Sequence, residues 1–302
     1  MKRLLVLHCG PMKTGSTAIQ DVLLEQRESL RMLGVSYHHI RARGLLQQLR
    51  EVLEQERDSG CAVLLLSSEF FAQMPEESLR PILDLFPAER HAVLVSRPLR
   101  EIYPSLYLQN LKGSSRRVTT FRVFFENQLL LDRDLDPKRT GQLMNASALD
   151  RRMQNAGCAT HWIRYDRVEL LERVAGVLSQ ICGVSFDLIR QPPSRLPEGL
   201  SPRRSLRMEL AGVARWINRL NRRAWISDQV REMLLIVLLD FSDVLRRIVP
   251  LSSPLSVSDR RRCDQLDELI NVPFLRSRGM LLGGDEGSDD DAGFGFRDSL
   301  SG

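Results

Sequence analysis

Apolar residues in this chain fall into short unbroken runs separated by longer stretches in which they recur at helical spacing. Leu4 to Leu7 runs into Gly10, Cys61 to Leu66 (CAVLLL) lies between Gly60 and Ser67-Ser68, and His91 to Val95 (HAVLV) ends at Ser96-Arg97-Pro98. Runs this short, bounded by turn residues, predict strands buried on both faces. Thr160 to Tyr165 (THWIRY) predicts a further strand. Between them, Ile19, Val22, Leu23 and Leu24 mark an amphipathic helix ending near Leu33-Gly34, and a polar helical segment runs through Arg57. Further helices are predicted over Glu76 to Leu85, broken by Pro87, over Glu101 to Leu111, and over Val168 to Cys182. Strand, crossover helix and strand recur, which predicts an α/β fold: a three-layer parallel sheet covered by helices on both faces.

The pattern changes at Gln191. Pro192, Pro193 and Pro197 mark a surface connection, and helical periodicity then continues from Arg203 to Arg247. Within it, Leu234 to Asp240 (LLIVLLD) imitates a strand ending in a magnesium-holding acid. Its flanks, Asp228 to Glu232 and Phe241 to Arg247, keep helical spacing without breakers, so the segment reads as a buried helix. From Gly283 the chain is acidic and glycine-rich with little to bury, the composition of a disordered tail. The expected organisation is an α/β core over 1–190, a helical extension over 191–282 that completes the domain and contributes to an acceptor site, and a disordered tail over 283–302.

Composition narrows the field. A chain of 302 residues with 43% hydrophobic and 27% charged residues is long enough to bury a large α/β core. The net charge of +5 favours an anionic ligand. No nucleic-acid motif accompanies it, so the excess charge reads as solvated surface and no nucleic-acid partner is expected. Lys2, Lys13, Lys112 and Lys138 are the only lysines. Cys9, Cys61, Cys158, Cys182 and Cys263 lack metal-ligand spacing and read as small core residues of a reducing compartment. The apolar run at the N-terminus is too short for a signal peptide, and no run approaches the roughly 20 residues of a membrane span. The expectation is a cytoplasmic protein without an integral membrane segment. Oligomeric state is open.

The chemistry concentrates at the first strand. Gly10-Pro11-Met12-Lys13-Thr14-Gly15-Ser16-Thr17 joins it to the first helix. A glycine loop opening a helix aims backbone N–H groups and the positive end of the helix dipole at one spot, which favours phosphate. Gly10 and Gly15 admit the ligand to the backbone, while Ser16 and Thr17 offer hydroxyls. A nucleoside-triphosphatase loop, G-x-x-x-x-G-K-[ST], carries lysine after the second glycine. Here the glycine spacing is kept, but Ser16 follows Gly15 and the lysine stands inside the loop as Lys13.

That arrangement resembles the 5′-phosphosulfate loop of the sulfotransferase superfamily, written P-K-T-G-T-T, with Pro11 and Met12 in reverse of the usual order. A second match follows the third apolar run. Arg97 and Ser105 stand eight residues apart, at a strand end and two turns into a helix. An arginine and a serine at this spacing hold the donor's 3′-phosphate in that superfamily. Ser105-Leu106-Tyr107-Leu108-Gln109 resembles the S-x-Y-x-Q of its bacterial family most closely, although Pro98 departs from the pattern. Leu65 to Glu69, Thr119 to Phe125 and Arg164-Tyr165-Asp166 extend the resemblance, which covers Met1 to about Gly183. Lys112-Gly113-Ser114-Ser115-Arg116 is a loose substitute for the cytosolic R-K-G-x-x-G.

The resemblance implies transfer of a sulfuryl group from 3′-phosphoadenosine 5′-phosphosulfate (PAPS) to an acceptor hydroxyl, without a metal. It implies donor binding by Gly10, Lys13, Thr14, Gly15, Ser16, Thr17, Arg97, Ser105 and Lys112. Lys13 is expected to stabilise charge on the bridging oxygen, with Glu69 as general base and His38 or His39 as alternatives. The acceptor it implies is a carbohydrate, a glycolipid or another small molecule. Two other readings remain open from sequence: a P-loop kinase with a displaced lysine, and a nucleotide-binding protein without catalysis.

Overall fold

The computed structural model describes residues 4–11, 14–41, 44–56, 59–86, 88–112, 119–133, 144–166, 168–190, 208–248, 255–278 and 280. Its centre is one sheet of five parallel strands, β1 (Leu4–His8), β2 (Val35–His39), β3 (Val63–Ser67), β4 (Glu89–Ser96) and β5 (Ala159–Arg164), in the order β2-β3-β1-β4-β5. Register is set by the apolar runs themselves: Val6 pairs with Leu65 on one side and His91 on the other. The predicted strands are present within two residues at each end. β2 adds an edge strand where sequence left the segment Val35 to His39 unassigned.

Helices cover both faces. α1 (Ser16–Glu25), α2 (Arg27–Met32) and α9 (Leu170–Cys182) pack on one, against Val6, Leu65, Val93 and Ile163. The other carries α3 (Leu45–Glu56), a short turn α4 (Phe70–Gln73), α5 (Glu76–Leu83) and α8 (Ala146–Asn155), packed on Leu5, Leu7, Leu66 and Leu94. Alternation along β1 therefore sends Val6 and His8 toward α1, and Leu5 and Leu7 toward α3. A sheet covered on both sides explains why its strands read as continuous apolar runs.

Beside this sandwich, α6 (Leu99–Lys112), α7 (Phe121–Arg133), α10 (Ala211–Arg222), α11 (Asp228–Ile248) and α12 (Val257–Ile270) share a third core that includes Ile102, Leu106, Phe125, Ala214 and Leu266. A final helix, α13 (Val272–Ser277), returns to the sheet, where Phe274 meets Trp162 edge to face. Leu234 to Asp240 lies inside α11, in agreement with its helical spacing. The long periodicity over 203–247 is interrupted between α10 and α11, where Ala224 takes φ 57°.

Buried polar groups tie the helices of the third core to one another. Asp132 Oδ2 accepts from Tyr103 Oη at 2.8 Å and Gln128 Nε2 at 3.0 Å, and its Oδ1 accepts from Met144 N at 2.7 Å. Asp267 Oδ2 of α12 accepts from Leu99 N at 2.8 Å, so a C-terminal helix caps the helix that starts just after Arg97. Residues 191–207 and the predicted tail from Gly283 lie outside the described residues.

Candidate functional site

In the order β2-β3-β1-β4-β5 the chain leaves β1 toward β2 and leaves β4 toward β5, so the topology switches direction between β1 and β4. Ligands of open α/β sheets settle in the crevice beyond the carboxyl ends of the strands at such a point. The glycine loop follows β1 there, and Arg97 follows Ser96 at the end of β4.

The loop is tight at both glycines. A Cβ on Gly10 would stand 3.2 Å from Thr14 Oγ1 and 3.3 Å from Val95 N. Thr14 is buried, and its hydroxyl donates to Pro11 O at 2.7 Å, closing the loop on itself. Gly15 adopts φ +87°, and a Cβ on it would run into Leu170 Cδ2 and reach 3.2 Å from Tyr165 Cε2. Only glycine fits both requirements. α1 then begins at Ser16 with no side-chain cap and no acidic residue in its first turn, so nothing on the helix itself offsets the positive end of its dipole. Ser16 is 2% exposed, and its Oγ has no hydrogen-bond partner among the described residues. Buried hydroxyls are rarely left unpaired, and an anion seated on the helix start would satisfy this one. Lys13 and Met12 lie outside the described residues; Pro11 and Thr14 flank them.

Tyr165 connects this loop to the end of β4. Its backbone N–H donates to Ser96 O at 2.7 Å, extending the sheet by one bond. Arg97 lays its guanidinium over the Tyr165 ring, 4.4 Å from the centroid, and its Nε donates to Glu101 Oε2 at 2.8 Å. Glu101 and Ser105 stand four residues apart on α6, so Ser105, half-buried, shares the face of the carboxylate that accepts from Arg97. Lys112 ends α6, about 20 Å beyond Leu99 by helical rise. Its carbonyl accepts from Arg231 Nη2 of α11 at 3.4 Å. Residues 113–118 lie outside the described residues.

On the other side of β1 the carboxyl edge holds a buried polar group that sequence reasoning missed. His8, the last residue of β1, is 2% exposed, and its Nδ1 lies 2.8 Å from Ser67 Oγ, which also accepts from Gln20 Nε2 at 3.2 Å. Its Nε2 has no partner among the described residues. Burial, and next the neighbouring His39, push the His8 imidazole down to about 4, so it is neutral at physiological pH. His39 stands in register with Ser67 on the same face of the sheet. A polar residue closing an apolar strand directly before a glycine loop was the available signal for His8.

Glu69 sits just past β3 at the start of α4, half-exposed, and the preceding Ser68 N–H donates to His8 O at 3.0 Å, which holds this corner against β1. His38 is placed elsewhere. Tyr37 faces α1, so its neighbour His38 points to the α3 face of the sheet. There its Nε2 lies 3.1 Å from both Glu56 Oε1 and Ser36 Oγ. Burial lowers the His38 pKa despite that carboxylate. The fold thus places Gly10, Thr14, Gly15, Ser16, Arg97 and Glu69 past the carboxyl ends of β1, β4 and β3, and it turns His38 to the α3 face of the sheet. All five cysteines carry free thiols, and Cys9, Cys158 and Cys263 are buried. Among the described residues no helix is long and apolar enough to cross a membrane.

Gly15, uncapped α1 and the Ser16 hydroxyl, which has no partner among the described residues, have the chemistry to hold a compact anion, and the Tyr165 ring beside Gly15 carries the Arg97 guanidinium. No protein-family model and no curated protein sequence matches the chain. A solved structure described as the sulfotransferase domain from the curacin biosynthetic pathway is similar to it at 15% sequence identity and a TM-score of 0.38, over 88% of this chain and 97% of that one. A likeness of that size carries no inference about activity.

Proposed function

We propose that the chain is a sulfotransferase that takes its sulfuryl group from PAPS and delivers it to the hydroxyl of a carbohydrate, a glycolipid or another small molecule. The observation that carries this reading is the placement of the Tyr165 ring beside Gly15, 3.2 Å from where a Cβ on that glycine would stand, with Arg97 lying over the same ring. It joins an anion cradle at the glycine loop to a guanidinium at the end of β4, as a nucleotide with anionic groups on both its 5′ and 3′ sides requires. The loop residues fit the 5′ end: glycine at both tight positions, a helix start without a cap, and a buried hydroxyl awaiting an acceptor.

When bound, the donor supplies the sulfuryl group, whose bond to the bridging oxygen breaks as a bond to the acceptor oxygen forms. Lys13, within the loop, neutralises the charge that grows on the leaving oxygen, an interaction stronger in the transition state than in the ground state. Thr14, Gly15, Ser16 and Thr17 hold the 5′ side. Arg97 and Ser105 hold the 3′-phosphate, with Arg97 aimed by Tyr165 and Glu101. Lys112 contributes from the far end of α6. Glu69 accepts the acceptor's proton from the β3 side.

The test is thermal stabilisation by 3′,5′-adenosine bisphosphate, the desulfated donor, against ATP with magnesium. A rise in Tm with the bisphosphate is expected. Stabilisation by ATP and magnesium alone would favour the kinase reading instead.

A further inference from the structure

α10 and the turn after it carry a surface that the nucleotide site does not use. From Ala211 to Ser227 the sequence holds Arg215, Arg219, Arg222, Arg223, Trp216 and Trp225, and no aspartate or glutamate. The helix is sharply two-faced. Ala211, Ala214, Ile217, Asn218 and Asn221 turn inward, and Asn218 is fixed there by bonds to Leu111 O and Arg231 Nε. The outward side presents Trp216, 58% exposed, among Arg219, Arg222 and Arg223, and Trp225 follows at 67% exposed. Arg223 stacks on the Trp225 ring at 5.4 Å. Among the described residues none of these three arginines is in an ion pair.

Exposed indoles are costly to leave in water, and a cluster of unpaired cations around them raises the local positive potential. One environment relieves both: an interface whose outer layer is anionic and whose inner layer is apolar, where indoles settle at headgroup depth and arginines pair with phosphate. The adjoining helix α11 continues the apolar surface with exposed Met233, Val237 and Phe241. Its acids Asp228, Glu232 and Asp240 are also exposed, so attraction to an anionic surface falls on α10.

We propose that the outward face of α10, centred on Trp216 and Trp225 and rimmed by Arg219, Arg222 and Arg223, docks the protein on an anionic lipid bilayer. The site is peripheral, and it stands independently of the nucleotide reading.

Intrinsic fluorescence reads this face directly. The chain has three tryptophans, and the third, Trp162, is buried with its Nε1 donating to Asp150 Oδ1 at 2.9 Å. The full-length protein is titrated with vesicles of phosphatidylcholine alone and of phosphatidylcholine mixed with phosphatidylglycerol. Emission is expected to shift to the blue and to be quenched by brominated lipid on the mixed vesicles only, and the effect is expected to weaken at high salt. Arg219→Gln, Arg222→Gln and Arg223→Gln together should lower vesicle affinity on the order of a hundred-fold. All three side chains are exposed, so an unchanged melting curve should accompany that loss. Equal binding to both vesicle types, no binding to either, or undiminished binding by the triple variant would overturn the proposal. So would indoles already shielded from iodide without lipid, whether a second copy or the acidic end of the chain covers them.

Discussion

The Arg97 guanidinium lies 4.4 Å from the centre of the Tyr165 ring, and the edge of that ring stands 3.2 Å from where a Cβ on Gly15 would be. The residue after β5 is thereby placed between the glycine loop after β1 and the cation after β4. Tyr165→Phe keeps the ring face and should leave affinity for 3′,5′-adenosine bisphosphate near that of the natural protein. Tyr165→Leu removes it and should weaken binding roughly three- to thirty-fold. Calorimetric titration of the two variants separates the ring's contribution from that of the phenolic hydroxyl.

Gly15 and Gly34 both have positive φ, at +87° and +77°, but only Gly15 has close neighbours. Gly34→Ala should cost about 1–2 kcal/mol of stability from backbone strain alone. Gly15→Ala adds a collision with Leu170 and Tyr165 and should cost about 2–4 kcal/mol. Urea unfolding measures both losses. Nucleotide affinity should fall only in Gly15→Ala.

Buried His8 makes stability depend on pH in a predictable direction. Its pKa is about 4 when folded and near 6.5 when unfolded, so between these values the unfolded chain binds the extra proton. Stability should rise with pH across that window, by about 3 kcal/mol from this group, and level off above it. Asp132 and Asp267, pushed up to about 6 chiefly by burial, act in the opposite sense between their unfolded values and pH 6. The difference between the natural protein and His8→Gln, measured by unfolding from pH 4 to 8, isolates the His8 contribution. A flat difference curve would contradict a buried neutral imidazole.

Lys13→Ala should slow sulfuryl transfer on the order of a hundred- to a thousand-fold while leaving the melting temperature of the free protein close to unchanged. Mass spectrometry of products from isotope-labelled PAPS with acceptor extracts gives the rate. A variant retaining near-natural turnover would remove Lys13 from the reaction.

What sequence made legible follows from how locally each feature is encoded. β1, β3 and β4 announced themselves because both faces of each are apolar. The glycine loop was legible because Gly10 and Gly15 are needed for backbone reasons that act within a few residues. β2 escaped because half of its side chains are polar. Ser36 and His38 are buried only because Glu56 arrives from α3 to meet them, with Ser36 Oγ donating to Glu56 Oε1 at 2.7 Å. α8 escaped similarly. Two of its charged residues face inward: Asp150 is buried against Trp162 and Arg278, and Arg152 donates to Ala72 O at 2.9 Å. The same limit applies at the site. The Arg97 to Ser105 spacing is local, whereas the Tyr165 ring that orients Arg97 and the Asp267 cap on α6 come from distant parts of the chain.

The central claim is that one nucleotide spans the glycine loop and Arg97. Equilibrium titration with 3′,5′-adenosine bisphosphate and with 5′-AMP, on the natural protein and on Arg97→Ala, tests it most directly. The natural protein should bind the bisphosphate about ten- to a hundred-fold more tightly than 5′-AMP, and Arg97→Ala should erase that preference while still binding 5′-AMP. Equal affinity of the natural protein for the two nucleotides, or a preference that survives in Arg97→Ala, would contradict it.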